Sequence, residues 1–229
     1  MTKRFPLILA LASTMTMTAF AADQEAKVND RLDAAVDTLH EMMNAADKGI
    51  PQDLLDKARC VVVIPGMKKA GFIIGAKYGS GFGVCRKNGG GWTAPAAMRV
   101  EGGSVGFQIG ASETDVILLV MNESGMRHLL EDKFTLGGNA SVAAGPVGRT
   151  AQAETDAAMH AEMLAYSRAR GLFAGISLEG ATLRGDQDAD RELYGRDIHN
   201  REILSGTVPT PAAATAFEHA LTRESPTRQ

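Results

Sequence analysis

From Asp23 to Lys48, apolar residues recur at three- and four-residue steps. Val28, Leu32, Ala35, Val36, Leu39, Met42 and Met43 therefore share one face of a helix, which Gly49 and Pro51 stop. The opposite face carries Asp30, Arg31, Asp33, Asp37, Glu41 and Asp47. A helix lying on a membrane normally bears Lys or Arg on its polar face, so this acidic helix is expected to pack on its own domain. A short second helix is predicted from Pro51 to Ala58, with proline near its start.

The period then changes. Cys60-Val61-Val62-Val63-Ile64 reads as a buried strand ended by Pro65-Gly66. From Met67 to Lys87, glycines at 71, 75, 79, 81 and 83 interleave with Phe72, Ile73, Ile74, Tyr78 and Phe82, which predicts a sharply curved hairpin. Asn88-Gly89 supplies a turn. Trp92 to Val100 forms the next strand, interrupted at Pro95. Gly102-Gly103 is read as a turn into Ser104–Ala111, and Asp115–Met121, the most apolar run, as a central strand. Asn122 or Ser124 caps a helix through Leu130. Thr155 to Ala158 reads as loop, and Ala161–Arg168 with Phe173–Leu183 as paired strands around Arg170-Gly171. Asp186–Tyr194, Ile198–Gly206 and Pro211–Arg223 read as short terminal elements. The pattern specifies an α+β fold: a curved, glycine-rich antiparallel sheet, barrel-like, with an N-terminal amphipathic helix and short C-terminal helices.

Residues 1–21 read as a cleaved signal peptide. Lys3 and Arg4 precede an apolar run from Leu7, and Ala19-Phe20-Ala21 places small residues for cleavage before Ala22. The run is broken by Ser13, Thr14, Thr16 and Thr18, which disfavours a membrane anchor. This leader suits a bacterial exported protein, periplasmic in location. Its removal takes the formal charge from −3 to −5, which argues against nucleic acid as a partner. Cys60 and Cys85 are the two cysteines. In an oxidising compartment they form a disulfide closing a loop of about 25 residues, worth ~3 kcal/mol; the alternative is two buried thiols. Their spacing disfavours zinc.

Lys68, Lys69, Lys77, Arg86 and Lys87 cluster along the predicted hairpin. If opposed strand ends bring them together, they form an anionic-headgroup site, each near-surface cation contributing about 1 kcal/mol. Ordinary edge charge is the alternative. Arg99, Arg149, Arg168 and Arg170 are candidates for further phosphate contacts. Asp186, Asp188 and Asp190 have the spacing that opens a calcium loop, but Arg191 stands where that loop needs glycine and Asp197 where it needs glutamate. A helix start is the better reading. Gly79-Ser80-Gly81-Phe82-Gly83 lacks the third glycine of a dinucleotide fingerprint at the required place. His40, His128, His160, His199 and His219 are scattered, and Ser177 sits in no nucleophile elbow. No catalytic constellation and no cofactor are implied.

Several of these stretches together resemble the SYLF domain family. They are the strand ending Ile64-Pro65 with Lys68-Lys69-Ala70-Gly71-Phe72 after it, and Trp92 followed by small residues and Pro95. Further on come Gly106-Phe107-Gln108-Ile109-Gly110 with Asp115–Asn122, the run Leu136–Arg149, and the glycine-punctuated segment Ser167–Gly185. The resemblance extends from roughly Leu54 to Ile203, implying a SYLF-like domain over residues 22–206 and a tail or helix over 207–229. Eukaryotic members bind membrane phosphoinositides and, in yeast, actin. For an exported protein, the resemblance implies a non-enzymatic lipid- or membrane-binding protein of the bacterial envelope that recognises anionic phospholipid. The rival is an envelope interaction protein that holds a protein partner on the same sheet.

Overall fold

The computed structural model describes residues 7–45, 49–71, 74–105, 110–146, 160–169, 172–173 and 178–226. Helix α1 runs from Leu7 to Met43, so the helix expected from Asp23 continues back without a break through the segment read as a leader. At 1.5 Å per residue it is about 55 Å long. Helix α2 (Gln52–Lys57) follows, with Pro51 at its N-cap. No described helix is long and apolar enough to cross a membrane.

The strands are β1 (Cys60–Gly71), β2 (Ile74–Cys85), β3 (Ala96–Val105), β4 (Gly110–Val120), β5 (Lys133–Thr135), β6 (Val142–Ala144), β7 (Met163–Ala169), β8 (Leu172–Phe173) and β9 (Thr182–Gly185). They form one sheet in the order β5-β9-β3-β2-β1-β4-β7-β6, with β8 added to β7. Pairing is antiparallel except between β6 and β7, which run parallel. Helix α3 (Glu123–Leu129) separates β4 from β5, and the Asn122 side chain accepts from the Gly125 amide at 2.9 Å. Helices α4 (Gln187–Tyr194) and α5 (Asn200–Leu204), a 3-10 turn (Ala212–Ala214) and α6 (Thr215–Glu224) close the chain.

Both faces of the sheet are buried. One face, through Val61, Val63, Phe82, Val84, Ile117 and Tyr166, packs under α1, α2 and α6. The other, through Val62, Ile64, Met98, Val100, Val116 and Leu118, packs against α3, α5 and the segment around Leu178–Leu183. Covering on both sides explains why Cys60–Ile64 and Val116–Val120 are unbroken apolar runs rather than alternating ones.

Three local expectations are corrected. Pro65-Gly66 does not end β1: the strand continues to Gly71 through a bulge, with register shifts against both neighbours. Proline is tolerated at a bulge because the ladder is already interrupted there. Gly102-Gly103 is not a turn but lies inside β3, opposite Lys77 and Ala76. Phe173–Leu183 is not one strand. Among the described residues of this stretch, Leu172–Phe173 pairs with β7, and β9 starts at Thr182 after a turn in which Gly180 takes φ +73°. Leu178, Ala181 and Leu183 are all buried, so their apolar pattern reports the core, not a continuous strand. The predicted loop Thr155–Ala158 lies outside the described residues.

The glycine-rich hairpin has a steric cause. A Cβ on Gly81 would overlap the Val63 carbonyl oxygen and stand 2.8 Å from the Ile64 Cα. Only glycine lets β2 pass that closely over the bulge in β1.

Candidate binding surface

The β1 bulge positions the predicted basic residues. Beyond it, Lys68 lies opposite Tyr78, and Lys69 directly opposite Lys77. Successive residues point to opposite faces, so Lys68 and Tyr78 share the α1 side of the sheet while Lys69 and Lys77 share the other. Lys77 is only 6% exposed. Burial pushes its ammonium below the ordinary lysine value, the charge of Lys69 adds to that shift, and Glu179 opposes it.

Arg86 and Lys87 are not part of this group. They follow the far end of β2, nine residues or roughly 30 Å of extended chain from Lys77. Antiparallel pairing carries the chain away from the Lys68–Lys77 end instead of folding the ends together. Arg86 is an internal clamp. Its guanidinium stacks 4.0 Å from the centre of the Trp92 ring and donates to the carbonyls of Leu55 and Ser225 and to the Ser225 hydroxyl. Burial lowers its pKa. Lys87 stands 3.9 Å from Glu218 of α6. The five cations predicted as one site thus form two groups, with Arg86 half-buried and its guanidinium engaged within the fold.

Of the predicted arginines, Arg149 and Arg170 lie outside the described residues. Arg168 contacts Glu41 of α1. Arg99 donates to Asp186 at 2.5 Å, and Arg31 of α1 reaches within 3.6 Å of the other Asp186 oxygen. Burial works against the Arg99 cation, but the hydrogen bond and charge of Asp186 prevail and raise its pKa.

The aspartates of the calcium-like spacing separate as soon as α4 begins, because residues two apart on a helix do not face each other. Asp186 takes the two arginines, exposed Asp188 lies 3.2 Å from Arg191, and Asp190 turns inward. Asp190 is 0% exposed and accepts from the Ala97 amide at 2.7 Å, while its second oxygen has no hydrogen-bond partner. Burial pushes its carboxyl up to about 8; the Ala97 bond opposes and the Asp186 charge reinforces this. Among the described residues, no group of three His, Cys, Asp or Glu is arranged to hold a metal ion. Cys60 and Cys85 are cross-strand partners, with sulfurs 2.08 Å apart in a disulfide.

Sequence reasoning did not find the groove beside α1. It has a volume of about 770 Å³ and is lined by Asp30, Asp37 and Glu41 of α1, Glu113 and Asp115 of β4, and Lys68 and Tyr78 of the hairpin. Past Tyr78 a second hollow of about 550 Å³ continues along α1 through Arg31, Lys27 and Gln24 to Arg99 and α4. The only signal in the chain was the acidic face of α1; the strands completing the walls come from distant segments.

The arrangement is thus a curved sheet buried on both faces, with charged grooves along α1 and the five predicted cations at opposite ends of β2. The family described as Ysc84, Las17-binding protein actin regulator, matches residues 101–224. The chain is 39% identical over 172 residues to Protein YSC84 of Saccharomyces cerevisiae, covering 74% of this chain and 36% of that protein. It is 38% identical over 176 residues to LAS seventeen-binding protein 3 of the same yeast, covering 75% and 38%. Against the human SH3 domain-containing YSC84-like protein 1 it is 37% identical over 172 residues, covering 75% and 50%. The chain belongs to the Ysc84 (SYLF) family. It spans half or less of the length of these relatives.

Proposed function

We propose that this chain is a non-catalytic binding domain, exported to the bacterial periplasm, that attaches to an anionic lipid surface through the Lys68, Lys69 and Lys77 end of its sheet. The observation that carries this reading is the Lys69–Lys77 cross-strand pair on one face of that sheet end, with exposed Lys68 next to it on the other face. Like charges directly opposite each other are unfavourable; with Lys77 buried, it is half-buried Lys69 and exposed Lys68 that meet a headgroup, whose charge adds to that of Glu179 in offsetting the cost. The Cys60–Cys85 disulfide supports an oxidising compartment. In support of a non-catalytic role, His40, His128 and His199 have separate partners: Glu224 of α6, the i+3 neighbour Glu131, and Gln187 of α4. A second reading, a protein partner in the envelope, is favoured by the relatives named for binding Las17 and regulating actin.

The test is co-sedimentation with neutral and anionic phospholipid vesicles at low and high salt. Binding confined to anionic vesicles, weakened by salt and by Lys68→Glu/Lys69→Glu but not by Lys87→Gln, is the expected result. Absence of binding in every condition, or equal loss from Lys87→Gln, overturns the lipid reading in favour of a protein partner.

A further inference from the structure

The groove beside α1 has a chemistry different from that of the lysine end. Five carboxylates line it, Asp30, Asp37, Glu41, Glu113 and Asp115, against the cations Arg31 and Lys68. Glu41 is engaged by Arg168, and Asp115 accepts from the Gly66 amide at 2.9 Å. Asp30 and Asp37 are exposed and make no ion pair among the described residues. The groove also contains Tyr78, 49% exposed, the large apolar side chain that stands out to solvent among the described residues. Tyr78 also lines the second hollow, so the two form one run along α1 from Gln24 to Glu41. At 1.5 Å per residue this run is about 25 Å long. An extended segment of about seven or eight residues matches that length.

We propose that this groove docks an extended, Lys- or Arg-bearing segment of a partner protein, with one apolar side chain on Tyr78 and its cations against Asp30, Asp37 and Glu113. Exposed tyrosines in concave surfaces are favoured interface anchors because they offer large contact area with a polar tip. In the first groove charge complementarity selects cations; the second hollow, with Lys27, Arg31, Arg99 and Arg191 beside Asp186, Asp188 and Glu192, is of mixed charge, so the cations of the segment sit at the Asp30–Asp37–Glu113 end. The same carboxylates repel an anionic membrane from the groove, which Lys68 also lines.

The experiment is fluorescence anisotropy with two labelled octapeptides, one alternating arginine and leucine, the other glutamate and leucine. The arginine peptide binds and weakens with salt, and the glutamate peptide does not bind. Tyr78→Ala weakens binding at least about fivefold, as does Asp30→Asn/Asp37→Asn. Glu123→Gln/Glu131→Gln, which removes the same charge from α3 and its following turn on the other side of the sheet, leaves binding unchanged. Circular dichroism checks that each variant is folded. Equal weakening by both double variants would reduce the effect to net charge and overturn the proposal, as would indifference to Tyr78→Ala or binding of the glutamate peptide. Loss of anionic-vesicle binding by the groove variants, with peptide affinity unchanged, would give the groove to the membrane and likewise overturn it.

Discussion

Asp190 makes the sharpest test of the packing described above. Its carboxyl is fully buried between β3 and α4, with one oxygen on the Ala97 amide and the other without a hydrogen-bond partner. Burial raises its pKa from 3.8 to about 8. The folded protein therefore holds a proton that the unfolded chain releases above pH ~3.8. Stability from this group is complete below that pH, declines as pH rises, and levels off above about 8. The slope is roughly 1.4 kcal/mol per pH unit, which accumulates to about 6 kcal/mol across the window. Asp190→Asn keeps the shape and the acceptor for Ala97 but cannot ionise. Its amide hydrogens take the place of the unpartnered oxygen, at a cost of about 1–3 kcal/mol. The variant should be slightly less stable than wild type near pH 4 and several kcal/mol more stable at pH 9. Urea unfolding followed by far-UV circular dichroism at a series of pH values reads the difference directly, because every other titrating group is common to both proteins. A stability difference that stays constant from pH 4 to 9 would refute the argument.

Two further outcomes follow from the sheet. Gly81→Ala forces a Cβ onto the backbone of the β1 bulge and should destabilise by more than about 3 kcal/mol, measured by urea midpoint at unchanged slope; a loss below 1 kcal/mol would mean that the strands do not approach so closely. Replacing Cys60 and Cys85 together by alanine removes a cross-link with a sequence separation of 25 and should cost about 3 kcal/mol, read as a lower thermal midpoint that reducing agent no longer changes.

Much of the local structure was legible in the chain. The apolar stripe Val28–Met42 is the buried face of α1, Pro51 starts α2, Asn122 caps α3, and the run Cys60–Ile64 lies in the heart of the sheet. These features depend on helix or strand period and on hydrogen bonds within a few residues, so neighbouring letters suffice to specify them. The cysteines were legible as a pair, but only the β1–β2 register makes them opposite. The strand order, which inserts β9 between β5 and β3 and sets β6 parallel to β7, comes from which surfaces bury best across long sequence separations. For that reason five clustered cations became two distant groups, and Arg86 became an internal clamp. The DxDxD spacing likewise gave one ion-paired, one exposed and one buried aspartate. The groove with Tyr78 exists only because α1, β1, β2 and β4 converge there. The sequence determined the elements and their apolar faces; tertiary contact alone decided which charges meet solvent, which meet each other, and which are buried.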